Sequence, residues 1–437
     1  MNNLIAQMPS MLYGKELDEA LTVLPPYDPD IIHADAATRL VALSDIYRVF
    51  LSNSMAREIY SKLHLGLLRS LSKKESPLMP RQYVENQKAI QMAESSGIIG
   101  GADSFTIIGP SGIGKSTSIS RSIQLLSKTP IIVTEKPYRQ IIPCVVVQTP
   151  FDASVKGLLL EILRVVDFKL GSDYCDKAMR NRNTTVDTLI GCVSAVCINH
   201  VGLLVIDEIQ HVVDQKAGGA LARCLMQLLN SSGISVAMVG TPSVIPFMSG
   251  GEFQLARRTL GLYYEPMEYG QAFRDLCTTL WRYQYVKHRA ELDEPMMHRL
   301  FEYSQGNPSV LVGLLHDVQE CSILSGREEI SSDLLHAAYQ TRLRMLHQHI
   351  TPARKPSTSR VKQTVSNPKA EPVEVPAQTS IATIVKDAKK GAQDIVSCLK
   401  RHIPVEEIPV GLHFSPNHTP TNWLTVGFPG IMCARGI

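Results

Sequence analysis

The sequence predicts an α/β fold: a parallel-sheet core covered by helices on both faces, with a C-terminal helical lid and an N-terminal helical extension. Three observations predict it. Four short apolar runs alternate with helical segments between residues 81 and 262: SFTIIG (104–109), PCVVVQT (143–149), GLLVIDE (202–208) and SVAMVG (235–240). Runs that are apolar throughout belong to strands buried on both faces, and helical crossovers make such strands parallel. The first run passes directly into a glycine-rich turn and a helical pattern, GPSGIGKS then TSISRSIQLL. From 263 to 350 the strand-like runs stop, and FRDLCTTLWRYQYV, QGNPSVLVGLLHDVQ and ISSDLLHAAYQTRLRML follow with helical periodicity.

Residues 1–80 open with a proline-marked extended piece, LPPYDPDI (24–31). A helical stretch follows, in which Leu40, Leu43, Ile46 and Phe50 recur at helical spacing. This segment is expected to be a mostly helical, partner-binding extension of the core at 81–262. After the lid at 263–350, residues 351–380 are rich in Pro, Ser, Thr and Lys, the composition of a disordered linker. The tail, 381–437, begins with an amphipathic segment (381–403) that is expected to bind a partner.

Bulk properties exclude some classes. The chain has 437 residues, 44% of them apolar, which is ample for a packed core. Net charge is +3, distributed unevenly: residues 351–437 hold 11 Lys/Arg and 6 Asp/Glu, a net of +5, leaving −2 for 1–350. No apolar run reaches the ~18 residues that span a bilayer, and the N-terminus lacks the pattern of a secretion signal. The nine cysteines are scattered without CxxC spacing, as befits small apolar residues in a reducing compartment. The expectation is a soluble, cytoplasmic protein with no membrane partner.

The chemistry begins at Gly109, Pro110, Ser111, Gly112, Ile113, Gly114, Lys115 and Ser116, a full match to G-x-x-x-x-G-K-[ST] between a strand and a helix. Glycines let successive backbone N–H groups turn inward around phosphate oxygens, and the helix opened by Lys115, Ser116 and Thr117 points its positive end at them. Lys115 would reach the β- and γ-phosphates of ATP, and the Ser116 hydroxyl would ligate Mg²⁺. The run LLVIDE then ends in two carboxylates: Asp207 for the Mg²⁺ shell, Glu208 to orient and polarise the attacking water. The run VAMVGT ends in Thr241, expected between the phosphate loop and the Asp207 strand, within reach of the γ-phosphate or the water. Arg257 and Arg258, at the end of a helical segment in QLARRTLG, are candidates for a finger presented to a neighbouring subunit's γ-phosphate. Either of the two would serve. Gln210 and His211, after the carboxylates, read as helix surface or interface.

This order of phosphate loop, Asp-Glu strand, polar third strand, arginines and helical lid resembles the AAA+ superfamily. FDASVKGLLLEILRVVD (151–167), GLLVIDEIQHV (202–212), VAMVGTPS (236–243) and FQLARRTLG (253–261) further resemble the TniB/TnsC family of transposition-regulator ATPases. The resemblance covers roughly residues 20–320. It implies an ATPase that assembles with itself as a ring or helical filament on duplex DNA, with about six or seven subunits per turn. It also implies partners, a transposase of the DDE type and a TniQ/TnsD-like target selector, with ATP hydrolysis driving disassembly. One departure is plain: where many AAA+ lids carry G-x-x-R, this sequence reads QGNPSVL, with Ser309 and no arginine.

For DNA, KTPIIVTEKPYRQ (128–140) reads as a β-hairpin with Lys136, Tyr138 and Arg139 at or near its tip. Arg180 and Arg182 form a second basic turn before the helix leading to the Asp207 strand. Basic and hydroxyl side chains tracking phosphates give sequence-independent, salt-sensitive affinity. Two other readings share the core: a helicase-loader-like DNA-remodelling ATPase, and a signalling or conflict NTPase without DNA binding.

Overall fold

The computed structural model describes residues 4–76, 104–135, 138–152, 154–180, 185–212, 224–225, 228, 234–246 and 259–342. All lie in the first of two compact units, Met1–Ser357. The second unit, Thr358–Ile437, lies outside the described residues, as do the expected linker and tail and the last residues of the lid.

Among the described residues six strands make one sheet: β1 (Ser104–Ile108), β2 (Ile132–Glu135), β3 (Tyr138–Gln148), β4 (Val201–Asp207), β5 (Ser235–Gly240) and β6 (Thr259–Tyr263). Their order is β2-β3-β4-β5-β1-β6, parallel throughout except for the β2–β3 hairpin at one edge. The register aligns the carboxyl ends: Ile108 lies opposite Gly240 and Tyr263, and Gln148 opposite Asp207. In an open parallel sheet that edge is where ligands bind, because successive strands leave it in loops that converge.

Alternation along the strands builds the layers, since successive side chains face opposite ways. Leu204 and Ile206 of β4, with Val236 and Met238 of β5, bury one face. That face is covered by α5 (Val155–Leu170), α6 (Tyr174–Arg180) and α7 (Val186–His200). Their neighbours Leu203, Val205, Ala237 and Val239 bury the other face, under α1 (Gly14–Leu21), α3 (Ser54–Lys74) and α4 (Lys115–Leu126). Both faces of β4 and β5 are covered, so residues 203–206 and 236–239 are apolar at every position.

The N-terminal segment does not stand apart from the core. Ile59, Leu63, Leu67 and Leu71 recur every four residues on α3 and are fully buried. The helix starts cleanly because the Asn53 side chain accepts from the Ala56 N–H at 2.9 Å. Gly66 lies against Phe105, Leu203 and Ser235, and the Ser235 hydroxyl donates to the Gly66 carbonyl at 2.7 Å. A boundary at residue 80 therefore divides one hydrophobic core. Upstream, α2 (Ala36–Leu43) and the turn after it send Leu43, Ile46 and Val49 into a different cluster, that of the lid.

The lid comprises α8 (Gln271–Trp281), α9 (Glu294–Ser304), α10 (Pro308–Ser325) and α11 (Ser332–Arg342). Trp281, Tyr283 and Tyr285 are buried in its centre. An ion pair adds to the apolar tie between lid and N-terminal segment: Arg39, 1% exposed, holds both Glu328 carboxylate oxygens at 2.6 Å and donates to the Tyr285 carbonyl at 2.9 Å.

Two smaller findings bear on the sequence reading. β6, paired with β1 at the sheet edge, begins at Thr259 and is a strand that the sequence reading did not include. Burial pushes the thiols of Cys144, Cys197, Cys224 and Cys277 up to about 12, the behaviour of unreactive core residues. Among the described residues no helix is long and apolar enough to cross a membrane.

Candidate nucleotide site

A cavity of about 220 Å³ opens at the aligned carboxyl ends of the strands. Ser111, Gly112, Gly114, Lys115, Ser116 and Thr117 line it from one side, and Asp207, Glu208, Gln210, Gly240, Thr241 and Ser309 from the other. Gly112 and Gly114 have φ of +84° and +97°, left-handed values that favour glycine and curl the loop. The curl ends at α4, whose first-turn N–H groups have no partner within the helix and so face the cavity's anion end.

Lys115 is buried (8% exposed), and its Nζ donates to the carbonyls of Gly109 at 2.7 Å and Pro110 at 2.8 Å. Burial lowers its pKa, and the charges of Asp207 and Glu208 act against that shift. A cation held by two carbonyls of its own loop is poised to exchange them for phosphate oxygens.

Across the cavity the Ser116 hydroxyl donates to Asp207 Oδ2 at 3.1 Å. Octahedral Mg²⁺, with oxygens at about 2.1 Å, needs adjacent ligands about 3 Å apart, so this hard-oxygen pair fits two neighbouring positions. The other Asp207 oxygen accepts from the Glu208 N–H at 2.8 Å, which fixes the carboxylate's rotation. Glu208 has φ of +58°, an unusual value for a residue with a side chain. The strand turns there into a 3₁₀ turn, Ile209–Val212, and the Glu208 side chain reaches the cavity.

Thr241 directly follows β5, which lies between β1 and β4, and lines the cavity. Its hydroxyl shares a hydrogen bond of 2.8 Å with Ser243. The lid closes another side without an arginine. Asn307 caps α10, and its Nδ2 donates to the Ser111 carbonyl at 2.9 Å, while the Ser309 N–H donates to the Gly112 carbonyl at 3.1 Å. Two hydrogen bonds thus clip the lid to the phosphate loop. Asn before Pro at a helix start is a readable capping signal, but nothing in it says that the amide reaches another loop. Gln210, read as helix surface or interface, lines the cavity.

The basic residues expected to meet DNA separate on inspection. Tyr138 is 62% exposed at the start of β3, and Arg180 is exposed at the end of α6. Arg139 corrects the expectation: one residue further along the strand it faces the opposite way, is 8% exposed, and donates to the Lys74 carbonyl at 2.8 Å. Lys136, Arg182, Arg257 and Arg258 lie outside the described residues.

A family model described as "AAA domain" matches residues 99–248, about a third of the chain. The chain is similar to the Aeropyrum pernix ORC1 protein solved in complex with DNA: 14% identity, TM-score 0.39, covering 61% of this chain and 64% of that one. It is also similar to the Aeropyrum pernix ORC2 protein (18% identity, TM-score 0.35, covering 60% and 67%). A third similar structure is domain III of the Thermotoga maritima replication initiation protein DnaA (15%, TM-score 0.32, covering 63% and 94%). The chain spans slightly less than two thirds of the length of the first of these. No curated protein matches the chain. The phosphate loop, strands β1 to β5 and the Asp207–Glu208 pair all lie inside the residues that the AAA domain model matches, and the fold is that of an AAA+ P-loop core.

Proposed function

We propose that this protein is an ATPase and a DNA-binding regulator of transposition that assembles with copies of itself on duplex DNA and links a TniQ/TnsD-like target selector to a transposase. The observation that carries the DNA part is the β2–β3 hairpin. It follows α4 in the chain and lies at the sheet edge, and Tyr138 is exposed beside its turn. The motif strings resembling the TniB/TnsC family supply the transposition part.

In the ATPase step the phosphate loop and Lys115 bind the phosphates, and Ser116 with Asp207 would hold Mg²⁺. The metal supplies charge neutralisation at the phosphates. Glu208 orients the attacking water and takes its proton, and Thr241 contacts the γ-phosphate or that water. Arg257 or Arg258 of a neighbouring copy stabilises charge as the phosphate leaves. Hydrolysis needs the neighbour, so it couples to assembly and drives disassembly.

Lys115→Ala is expected to weaken ATP binding at least tenfold, on the order of a charge-assisted hydrogen-bond pair, as read by fluorescent-nucleotide titration. Wild-type affinity in that variant would remove Lys115 from the phosphate site. The function itself is tested by duplex-DNA binding with ATP, ADP and a non-hydrolysable analogue, watched by negative-stain microscopy. Rings or filaments on DNA with the triphosphate alone are the expected result. ATP binding with no DNA association at low salt would replace this reading with that of a signalling NTPase. Assembly on DNA that recruits a replicative helicase, and no transposase, would favour the loader.

A further inference from the structure

Gln210 sits between the two groups that the hydrolysis step needs held in register. Its Nε2 donates to Glu208 Oε2, and its Oε1 accepts from the Thr241 N–H at 3.3 Å. The orientation of the amide follows from chemistry. A backbone N–H can only donate and a carboxylate can only accept, so Oε1 faces Thr241 and Nε2 faces Glu208. The amide's path is open because residue 240 is glycine. A Cβ there would stand 3.1 Å from Gln210 Oε1 and 2.7 Å from Ile209 Cγ1.

The short turn carrying Gln210 is tied on its other side as well. His211 Nδ1 lies 3.0 Å from the Thr149 carbonyl just beyond β3, and its N–H donates to the Glu208 carbonyl at 3.2 Å. The turn therefore bridges the ends of β3, β4 and β5, and the Glu208 carboxylate is the movable group in its middle. A glutamate has three side-chain torsions. One charge-assisted donor at Oε2 removes much of that freedom and leaves Oε1 for a water.

We propose that Gln210 is a positioning residue for hydrolysis, fixing the Glu208 carboxylate relative to the Thr241 end of β5. This rests on the reading of Glu208 as the water-orienting group. A positioned base that loses its anchor keeps its charge and its reach but spends less time aligned, so turnover falls while nucleotide binding does not.

Steady-state and single-turnover ATP hydrolysis by the full-length protein tests this, with Gln210→Met, Glu208→Gln and the double variant. Methionine keeps the length and packing and loses both hydrogen bonds. The expected result for Gln210→Met is a fall in kcat of about tenfold with KM within about twofold of wild type. In the Glu208→Gln background the same substitution is expected to change the residual rate by less than about twofold, because the group that Gln210 positions is gone. Wild-type kcat in Gln210→Met, or a loss that multiplies with that of Glu208→Gln, overturns the proposal. Wild-type kcat in Glu208→Gln overturns instead the reading on which it rests. If methionine fails to fold, as judged by circular dichroism, Gln210→Ala takes its place with the same outcomes.

Discussion

Replacing Arg39 by alanine is expected to destabilise the protein by about 3–5 kcal/mol, more than any surface ion pair would contribute. The guanidinium is 1% exposed, and Glu328 is 12% exposed. Four hydrogen bonds of one planar group are spread over the Ala34 and Tyr285 carbonyls and both Glu328 oxygens. Removing it leaves a carboxylate and carbonyls that had given up water. Glu328 is also held at φ of +60°, a conformation stabilised by the contacts around it. Its backbone N–H donates to the Ser322 carbonyl at 3.3 Å, and its carbonyl accepts from the His288 N–H at 2.9 Å.

The pair carries a pH signature. The hydrogen bonds from Arg39 hold the Glu328 carboxyl below its ordinary value of 4.5. A group whose pKa is depressed on folding contributes stability that is present above the unfolded value and lost as pH falls through the folded one. Urea denaturation of wild type should therefore show a loss below pH 4.5 that Arg39→Ala lacks, because the variant has already lost the pair. The double variant Arg39→Met, Glu328→Gln, which leaves no buried charge, should be less destabilised than Arg39→Ala. If the single change costs under about 1 kcal/mol, the tie between the N-terminal segment and the lid rests on the apolar packing of Leu43, Ile46 and Val49 and not on the ion pair.

What could be read from the sequence follows from how local each signal is. The phosphate loop is eight consecutive residues whose meaning needs only a strand before and a helix after, and both are present. The parallel core announced itself because runs such as LLVI are apolar at every position, and Thr241 fell between β1 and β4 as strand order in such a sheet would have it. Non-local features were silent. The apolar spacing of Ile59, Leu63, Leu67 and Leu71 is that of any amphipathic helix and does not say that α3 covers the sheet. Tyr138 and Arg139 look alike as hairpin residues until strand alternation turns one outward and the other in. β6, five residues with a glycine at its centre, has too little pattern to be told from a loop. Gln210 and Asn307 are neutral amides, with no charge or motif to mark them, and their roles depend on where distant carbonyls and carboxylates arrive. The arginines at 257 and 258 lie outside the described residues, so their part rests on motif order alone.

Glu208→Gln is expected to lower kcat by about 10²–10⁴-fold, the range for loss of a positioned general base, while ATP binding stays within about twofold of wild type. The substitution is nearly isosteric. Position 208 keeps its side-chain length, its left-handed backbone and the N–H bond to Asp207, and Gln210 Nε2 can donate to the new amide oxygen. Only charge and basicity are removed. The Ser116–Asp207 pair, 3.1 Å apart, is untouched, and so is the Lys115 ammonium on the opposite wall. A protein that binds ATP and cannot hydrolyse it should accumulate in the triphosphate-bound form, so any assembly that ATP promotes should outlast the wild type's in a sedimentation or microscopy time course. Failure of the variant to bind ATP would place Glu208 in nucleotide binding rather than in the activation of water. Near-wild-type turnover would return the strained backbone at 208 to a purely structural account, in which the left-handed residue serves only to turn β4 into the bridge that joins three strand ends.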